Sequence, residues 1–163
     1  MSKKIFLICE IGCNHRGDMN TAKKMIKVAA EYCNVHVVKF QKRTNKDLLS
    51  NEEYNKPHPV PENSYGSTYG EHREKLEFTL EQHKILKKEC EKFNVIYSTS
   101  VWDLNAAIEI VELNPKLIKV PSATNTDLKL LDFLFRNYKG EIHISLGMTK
   151  VSEEKNILKE FIT

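Results

Sequence analysis

Short runs of apolar and β-branched residues recur along the chain and alternate with segments of helical periodicity. Strands that alternate with helices build parallel βαβ units with right-handed crossovers. The pattern therefore predicts an α/β fold with about five parallel strands. The predicted strands cover residues 4–10, 35–41, 94–99, 117–121 and 141–145.

The segments between these runs carry helix signals of their own. Asp18 is placed to cap the first helix, and Thr79 with Gln82 forms a capping box for another. Ser152 is placed to cap a last helix that runs to the end of the chain. Helices are predicted over residues 19–32, 79–93, 103–113, 126–137 and from 152 onwards.

One polar stretch, residues 42–73, shows no periodicity. We expect a long loop there, and loops of this length are usually functional or disordered.

Two architectures fit the remaining pattern, an open doubly wound sheet and a (β/α) barrel. The chain has no GxGxxG motif after the first strand and no P-loop motif, which favours the barrel.

Composition narrows the class of protein. The 163 residues suffice for one compact domain, and 40% hydrophobic with 29% charged residues is typical of a soluble globular protein. The apolar runs are far shorter than the roughly 20 residues of a membrane helix, and no signal peptide pattern is present. We therefore expect a cytoplasmic protein without a membrane partner.

Charge and cysteine usage agree with this expectation. The net charge of +3 is scattered without a basic stripe, so we expect no nucleic-acid partner, while a mild positive balance suits anionic metabolites. None of the four cysteines forms a CxxC pair, and we expect buried, reduced thiols.

Reactive or hydrogen-bonding side chains lie at or near the carboxyl end of each predicted strand. In a parallel barrel these ends open on one face, where catalytic residues gather. An acid, two lysines, an amide and several hydroxyls are therefore expected to share one pocket. They are Glu10, Lys39, Gln41, Thr99, Lys119, Ser122 and Ser145.

The two lysines carry most weight in this set. Lys39 and Lys119 each lie within branched aliphatic residues, where an ammonium group is costly without a partner. A single lysine of this kind often snorkels to solvent, but two at matching strand ends favour an anion site. Glu10 fits two roles equally, a general acid or base and a salt-bridge partner of a core lysine.

The histidines are weaker candidates. His15, in the loop after the first strand, has the chemistry for proton transfer, although a loop histidine is more often solvated. His36 and His143 lie within predicted strands, where packing is the expected role. No group of histidines has metal-ligand spacing, so no metal ligand is assigned.

Five short motifs in order resemble the sialic acid synthases and their nonulosonic acid relatives. The segment EIGCNHRGD at 10–18 is similar to their EIGxNHxG opening, and VKFQ at 38–41 matches a second-strand motif. ST at 98–99 with Asp103, KVPS at 119–122 and SLGM at 145–148 are similar to their third-, fourth- and fifth-strand motifs. Together they span nearly the whole chain.

The resemblance implies a TIM (β/α)8-type barrel that condenses phosphoenolpyruvate with an N-acetylated amino sugar and releases phosphate. It implies a divalent metal, usually Mn²⁺, that polarises the sugar aldehyde, and often a homodimer. Glu10 matches the acid beside the reacting carbons. The positions that match the family's phosphoenolpyruvate-binding residues are Lys39, Thr99, Lys119, Ser122 and Ser145.

The sequence also departs from the family pattern. Thr124 stands where many members have a sugar-contacting glutamate, so the sugar acceptor is open, and Leu146 replaces a usual hydroxyl residue. The later barrel strands, the metal-binding histidines and the antifreeze-like domain of the family have no counterpart in residues 1–163. We therefore expect these residues to form an incomplete barrel of about five βα units that is inactive alone.

Two other functions remain open from the sequence. One is a Schiff-base aldolase that uses Lys119 as its nucleophile. The other is a non-catalytic sugar-phosphate-binding fragment. In the synthase interpretation, we expect the segment 55–74 to act as a lid or sugar-facing loop.

Overall fold

The computed structural model describes residues 5–161, and Lys4, the predicted start of the first strand, lies outside this range. The strands are β1 (Ile8–Gly12), β2 (Val37–Lys42), β3 (Ile96–Val101), β4 (Leu117–Val120) and β5 (Glu141–Ile144). The helices are α1 (Met19–Glu31), α2 (Asn45–Leu48), α3 (Asn51–Asn55), α4 (Tyr69–Lys75), α5 (Leu80–Lys92), α6 (Leu104–Leu113), α7 (Leu128–Asn137) and α8 (Val151–Phe161). Across residues 5–161, no helix combines the length and apolar composition needed to cross a membrane.

All five strands are parallel, and their order in the sheet is the order in the chain, β1-β2-β3-β4-β5. A doubly wound sheet reverses its strand order at a switch point, whereas a (β/α) barrel adds each strand beside the previous one. The predicted α/β fold is therefore confirmed. In the described residues β1 and β5 each pair on one side only, so the sheet is not closed.

The two faces of the sheet differ in chemistry. On one face, Phe40, Tyr97 and Ile118 are buried in a single apolar core with helix residues such as Leu86 and Ile110. Side chains alternate between faces along a strand, so the residues on either side of these core positions project to the other face. We call this second face, which is not packed against the core helices, the open face.

The strands do not begin and end where hydrophobicity alone places them. β1 starts at Ile8. The preceding Leu7 donates its backbone amide to His36 Nδ1, and its carbonyl accepts from the backbone amides of His36 and Val37. β3 starts at Ile96, two residues after the predicted start, because the Val95 amide donates a hydrogen bond to the Cys90 carbonyl at the end of α5. Strand pairing, rather than apolar content, sets these boundaries.

Most predicted caps are present. Asp18 accepts a hydrogen bond from the Thr21 amide, and Thr79 with Gln82 forms a reciprocal capping box. The prediction for Ser152 is wrong, because α8 begins one residue earlier, at Val151.

The stretch 42–73 is not the structureless loop that was predicted. It contains α2, α3, a 3-10 turn at Pro61–Asn63 and the start of α4. Capping boxes start two of these helices, Ser50 with Glu53 and Thr68 with Glu71. Each box follows the Ser/Thr-x-x-Glu spacing, so the sequence held a signal for these helices that apolar periodicity missed.

This segment is tied to the carboxyl ends of the strands. The Thr44 amide donates to Asp103, which also caps α6, and a β-carbon on Gly17 would lie 2.0 Å from the Lys75 carbonyl oxygen. Gly17 has φ +74°, so glycine alone allows the β1–α1 loop to approach the end of α4 this closely. The segment is therefore fixed beside the loops that follow the strands.

The prediction of buried thiols holds in part. All four cysteines are free, Cys90 is buried, and Cys9 and Cys13 are half-buried. Cys33 is exposed, because it follows the end of α1 in the connection to β2, so the prediction is wrong for this residue.

We expect residues 1–163, expressed alone, to self-associate. Within residues 5–161, β1 and β5 each leave one edge of backbone groups unpaired, and Ile5 and Phe6 next to β1 are more than half exposed. Analytical ultracentrifugation over a range of concentrations measures this directly. A monodisperse monomer that melts cooperatively would contradict the prediction.

Candidate functional site

Strand register brings the predicted charged residues onto one face. Glu10 pairs with Lys39 and Lys39 with Ser98, while Ser100 pairs with both Gln41 and Lys119. Paired residues of neighbouring parallel strands, and residues two apart on one strand, project to the same side. Glu10, Lys39, Gln41 and Lys119 therefore share the open face, and we call these four residues the mouth.

Lys39 and Glu10 form an ion pair. The Lys39 side chain is only 13% exposed, whereas that of Glu10 is 49% exposed. Burial of an ammonium group is costly unless a carboxylate compensates it, which Glu10 does here. Of the two roles that the sequence left open for Glu10, the structure therefore shows the salt bridge, while the carboxylate remains accessible from the open face.

Lys119 lies in the electrostatic field of this pair. Burial lowers the pKa of Lys119, the nearby Lys39 ammonium lowers it further, and the Glu10 carboxylate opposes both. Within residues 5–161, Lys119 has no ion-pair partner of its own. Two ammonium groups with one carboxylate leave a net positive charge, which is the composition of an anion site.

Gly12 makes room for the polar groups at the end of β1. It lies at a bulge in the β1–β2 pairing and has φ +56°, a conformation that favours glycine. A β-carbon there would lie 3.3 Å from Gln41 Nε2 and 3.5 Å from Glu10 Oε1. The glycine therefore lets the Glu10 carboxylate and the Gln41 amide approach each other.

The predicted hydroxyl residues after β4 and β5 lie in two neighbouring loops. A β-carbon on Gly147 would be 3.4 Å from Cβ of half-buried Ser122, and the Ser145 amide donates to the Val120 carbonyl at 3.0 Å. Buried Asn125 joins the loops through a 2.7 Å hydrogen bond from Nδ2 to the Ser145 carbonyl. Sequence reasoning missed Asn125, because nothing local distinguishes it from other loop asparagines.

Thr124, the position of the expected sugar contact, lies in the same loop. Its Oγ1 is buried and has no hydrogen-bond partner in the part of the chain that the structure describes. The Thr124 amide donates to the Pro121 carbonyl at 3.1 Å, which fixes the turn. The hydroxyl is therefore placed in the loop beyond β4 with its hydrogen-bonding capacity unused.

The structure separates Thr99 from the other predicted residues. Thr99 pairs with Phe40 and Ile118, both of which belong to the apolar core on the helix face. Its side chain is fully buried there, on the opposite face of the sheet from Lys39, because Thr99 pairs with the residue after Lys39. Ser98 and Ser100 take the open-face positions of β3, so the prediction that Thr99 shares the pocket is corrected.

A second polar cluster beyond β2 was not predicted. Arg43 donates through Nε to Glu77, through its backbone amide to the same carboxylate at 3.1 Å, and through Nη2 to Cys13 Sγ at 3.1 Å. Its guanidinium lies 5.8 Å from the centre of the Trp102 ring. Burial raises the pKa of the Glu77 carboxyl, and Arg43 opposes this rise. Through its hydrogen bonds, Arg43 joins the segment after β2 to Glu77 and to Cys13 in the loop after β1, beside the mouth.

His15 is a structural residue rather than a solvated one. It is 2% exposed, its ring stacks on Phe78 with centroids 4.1 Å apart, and Nδ1 accepts a hydrogen bond from the Gly17 amide at 3.1 Å. Burial lowers the pKa of His15 to about 4. The expectation of a solvated loop histidine is therefore wrong.

The described residues do not form a metal-binding cluster. Residues 5–161 place no three His, Cys, Asp or Glu side chains where they would hold a metal ion together. The mouth contributes one carboxylate, and two ammonium groups beside it disfavour a cation.

Comparison with known proteins identifies close relatives. The NeuB family profile matches residues 25–162. Human N-acetylneuraminate-9-phosphate synthase is 32% identical over 152 residues, which cover 93% of this chain and 42% of that protein. N,N'-diacetyllegionaminic acid synthase of Campylobacter jejuni is 32% identical over 156 residues, covering 96% of this chain and 46% of that protein. The chain thus spans less than half the length of these relatives.

Solved structures support the fold assignment. The N-acetylneuraminic acid (sialic acid) synthetase of Leptospira borgpetersenii has a TM-score of 0.80 at 22% identity and covers 98% of this chain and 50% of its own. DAHP synthase of Thermotoga maritima has a TM-score of 0.64 at 15% identity, over 96% of this chain and 38% of its own. Both are barrel-type synthases, so the predicted fold class is confirmed.

We expect protonation of His15 to destabilise the fold. Its pKa is about 4 when folded and an ordinary 6.5 when unfolded, so the unfolded chain binds the proton first as the pH falls. Stability is full above pH 6.5 and declines towards pH 4, by about 3 kcal/mol. His15→Asn, which retains an acceptor for Gly17, should flatten this decline.

Urea denaturation at pH 7, 5.5 and 4.5 measures the effect, at a concentration where the protein does not associate. The difference between the curves reports His15 together with its effect on His83, whose pKa is lowered mainly by burial and in part by the His15 charge. Parallel curves would contradict this account.

Proposed function

Because the chain belongs to the NeuB family, we propose that it forms the phosphoenolpyruvate-binding part of a synthase that condenses phosphoenolpyruvate with an N-acetylated amino sugar. The product would be sialic acid or a related nonulosonic acid, with release of phosphate. In this proposal residues 1–163 supply the first five βα units of a TIM barrel. The remaining strands and the C-terminal domain are supplied by polypeptide outside these residues.

The arrangement of Lys39, Lys119 and Glu10 on the open face carries this proposal. Phosphoenolpyruvate bears a phosphate and a carboxylate, and two lysines beside one carboxylate offer a net positive charge for them. Ser122 and Ser145, at the ends of the neighbouring strands, are the proposed additional phosphoenolpyruvate contacts.

The reaction needs positioning and charge stabilisation more than covalent help from the protein. Carbon 3 of phosphoenolpyruvate forms a bond to the aldehyde carbon of the sugar, and the aldehyde oxygen takes up a proton. Positive charge develops at carbon 2, and water adds there and loses one proton, which balances the proton taken up by the aldehyde oxygen. The bond between carbon 2 and the phosphate oxygen then breaks, while the new hydroxyl passes its proton to the departing phosphate and becomes the ketone. Lys39 and Lys119 hold the phosphate and carboxylate throughout these steps.

Glu10 is assigned the proton-transfer or water-orienting role. Its carboxylate compensates Lys39, and half of the side chain stays accessible from the open face. Gln41 lies next to it across Gly12 and is assigned to substrate binding. A carboxylate that is held by a lysine but still accessible is suited to contact a water molecule or a substrate hydroxyl group.

The sugar acceptor is N-acetylmannosamine or a related hexosamine. Thr124 places a neutral hydroxyl, whose Oγ1 is buried within the described residues, where many family members have a carboxylate. We assign the choice between acceptors to Thr124 and to the segment 55–74, whose α4 ends against the loop after β1.

The divalent metal, the homodimer and the cytoplasmic location expected from the sequence remain part of this proposal. The described residues do not offer a metal site, so Mn²⁺ would be held by residues outside 5–161.

A Schiff-base aldolase is the second candidate, and one observation favours it. The pKa of Lys119 is lowered by burial and by the Lys39 ammonium, and a lysine next to another cation is an activated nucleophile. Borohydride traps an imine between Lys119 and a carbonyl substrate. The condensation forms no imine, so absence of a trapped adduct during turnover excludes the aldolase.

We expect Lys39→Ala and Lys119→Ala, in the full-length protein, each to lower kcat/KM for phosphoenolpyruvate by roughly 100-fold or more, because truncation of a buried charged contact costs several kcal/mol. Phosphate release from phosphoenolpyruvate with N-acetylmannosamine and Mn²⁺ is the assay. Lys139→Ala is the matched control, since this exposed lysine precedes β5 at the opposite end of the sheet. Near-normal turnover in either mouth variant would remove the anion-site assignment.

Exchange of residues 55–74 for the corresponding segment of a relative with a different acceptor should shift the sugar preference. The measurement is the ratio of kcat/KM for two amino sugars, while KM for phosphoenolpyruvate serves as the control. An unchanged ratio in an active exchange protein would exclude the segment as a specificity element.

A further inference from the structure

His143 occupies a position on the open face that strand packing does not explain. It pairs with Lys119 across β4 and β5, in the row that also contains Gln41 and Ser100. Neighbouring strands lie about 4.8 Å apart, so the two side chains start close together and project to the same side. Within the described residues its side chain is 43% exposed, so the packing of this part of the sheet does not account for its position.

Glu141 orients the His143 ring. Its Oε1 lies 2.6 Å from His143 Nε2, and Glu141 stands two residues earlier on the same strand and the same face. A carboxylate on one ring nitrogen fixes the proton there and leaves the other nitrogen for a ligand. Nδ1 has no partner in the described part of the chain, so it is the atom available for substrate.

The charged groups around the ring determine what it can bind. Glu141 lies on the same strand and Lys119 on the neighbouring strand, while Lys39 and Glu10 act on Lys119 from the strands beyond. Among the described residues Lys119 has no carboxylate partner of its own, so it is available to bind an anion. Because His143 is its neighbour on β5, such an anion lies within reach of the imidazole. When Nε2–H is bonded to Glu141, an anion at Nδ1 requires a second ring proton, because only a donor stabilises it.

We infer that His143, held by Glu141, hydrogen-bonds the phosphate or carboxylate of phosphoenolpyruvate next to Lys119, and that this contact takes up a proton when the substrate binds. The inference rests on the proposed function, because it places one more contact in the same mouth. It assigns a substrate-binding role to a residue outside the sequence motifs. The bond that forms is Nδ1–H to oxygen, and the proton comes from solvent.

A site that binds its ligand together with a proton binds it more tightly at lower pH. The phosphate of phosphoenolpyruvate has its own titration near pH 6, but this contribution is identical for all variants. The difference between variants therefore isolates His143.

The test uses titration calorimetry of the full-length protein with phosphoenolpyruvate at one pH, in two buffers of different ionisation enthalpy. The difference in heat gives the number of protons taken up. His143→Asn and Glu141→Gln should both reduce this uptake, and His143→Asn should weaken binding roughly 10- to 100-fold, as expected for one charged hydrogen bond. His36→Asn, at the amino end of β2, is the matched control and should behave as wild type.

A structural role for the pair gives a different result. His143→Asn would then lower the melting temperature and leave the affinity and the proton uptake unchanged, which would overturn the inference. A change in KM for the sugar alone would also overturn it. If the wild-type protein neither binds nor turns over phosphoenolpyruvate, the proposed function fails and the inference fails with it. If the wild-type protein does so with unchanged proton uptake in His143→Asn, only the inference fails.

Discussion

The ion pair between Lys39 and Glu10 is the interaction on which the mouth depends. A lysine that is almost buried in a parallel sheet needs a carboxylate, and β1 supplies one in register on the neighbouring strand. With Lys39 compensated, the charge of Lys119 is left for a ligand. The composition of the site, two ammonium groups and one carboxylate, thus follows from the chain-order sheet, in which β1 and β2 are neighbours and β4 lies one strand further, across β3.

The loops at the strand ends are braced by contacts that do not themselves bind substrate in our proposal. The buried Arg43–Glu77 pair joins the segment after β2 to the residues before α5, and stacked His15 fixes the loop after β1. Asn125 connects the loops after β4 and β5. Such contacts hold a polar site in place, and rigid placement is what a condensation that relies on positioning requires.

Local signals in the sequence predicted the elements but not their relations. Side-chain caps depend on residues three apart, so Asp18 and Thr79 marked helix starts correctly, and the same rule applied to Ser50 and Thr68 would have predicted α3 and α4. Strand ends were less predictable, because β3 extends to Val101 only through its pairing with β2.

The sequence by itself determined the βα alternation and the identity of the charged residues near the strand ends, since both depend on local pattern and residue type. Tertiary structure alone decided which of these residues share a face. A shift of one residue in register moves a side chain to the opposite side of the sheet, which is why Thr99 enters the core while Ser98, Ser100 and His143 line the open face. Register is a relation between strands distant in the chain, and no local pattern records it.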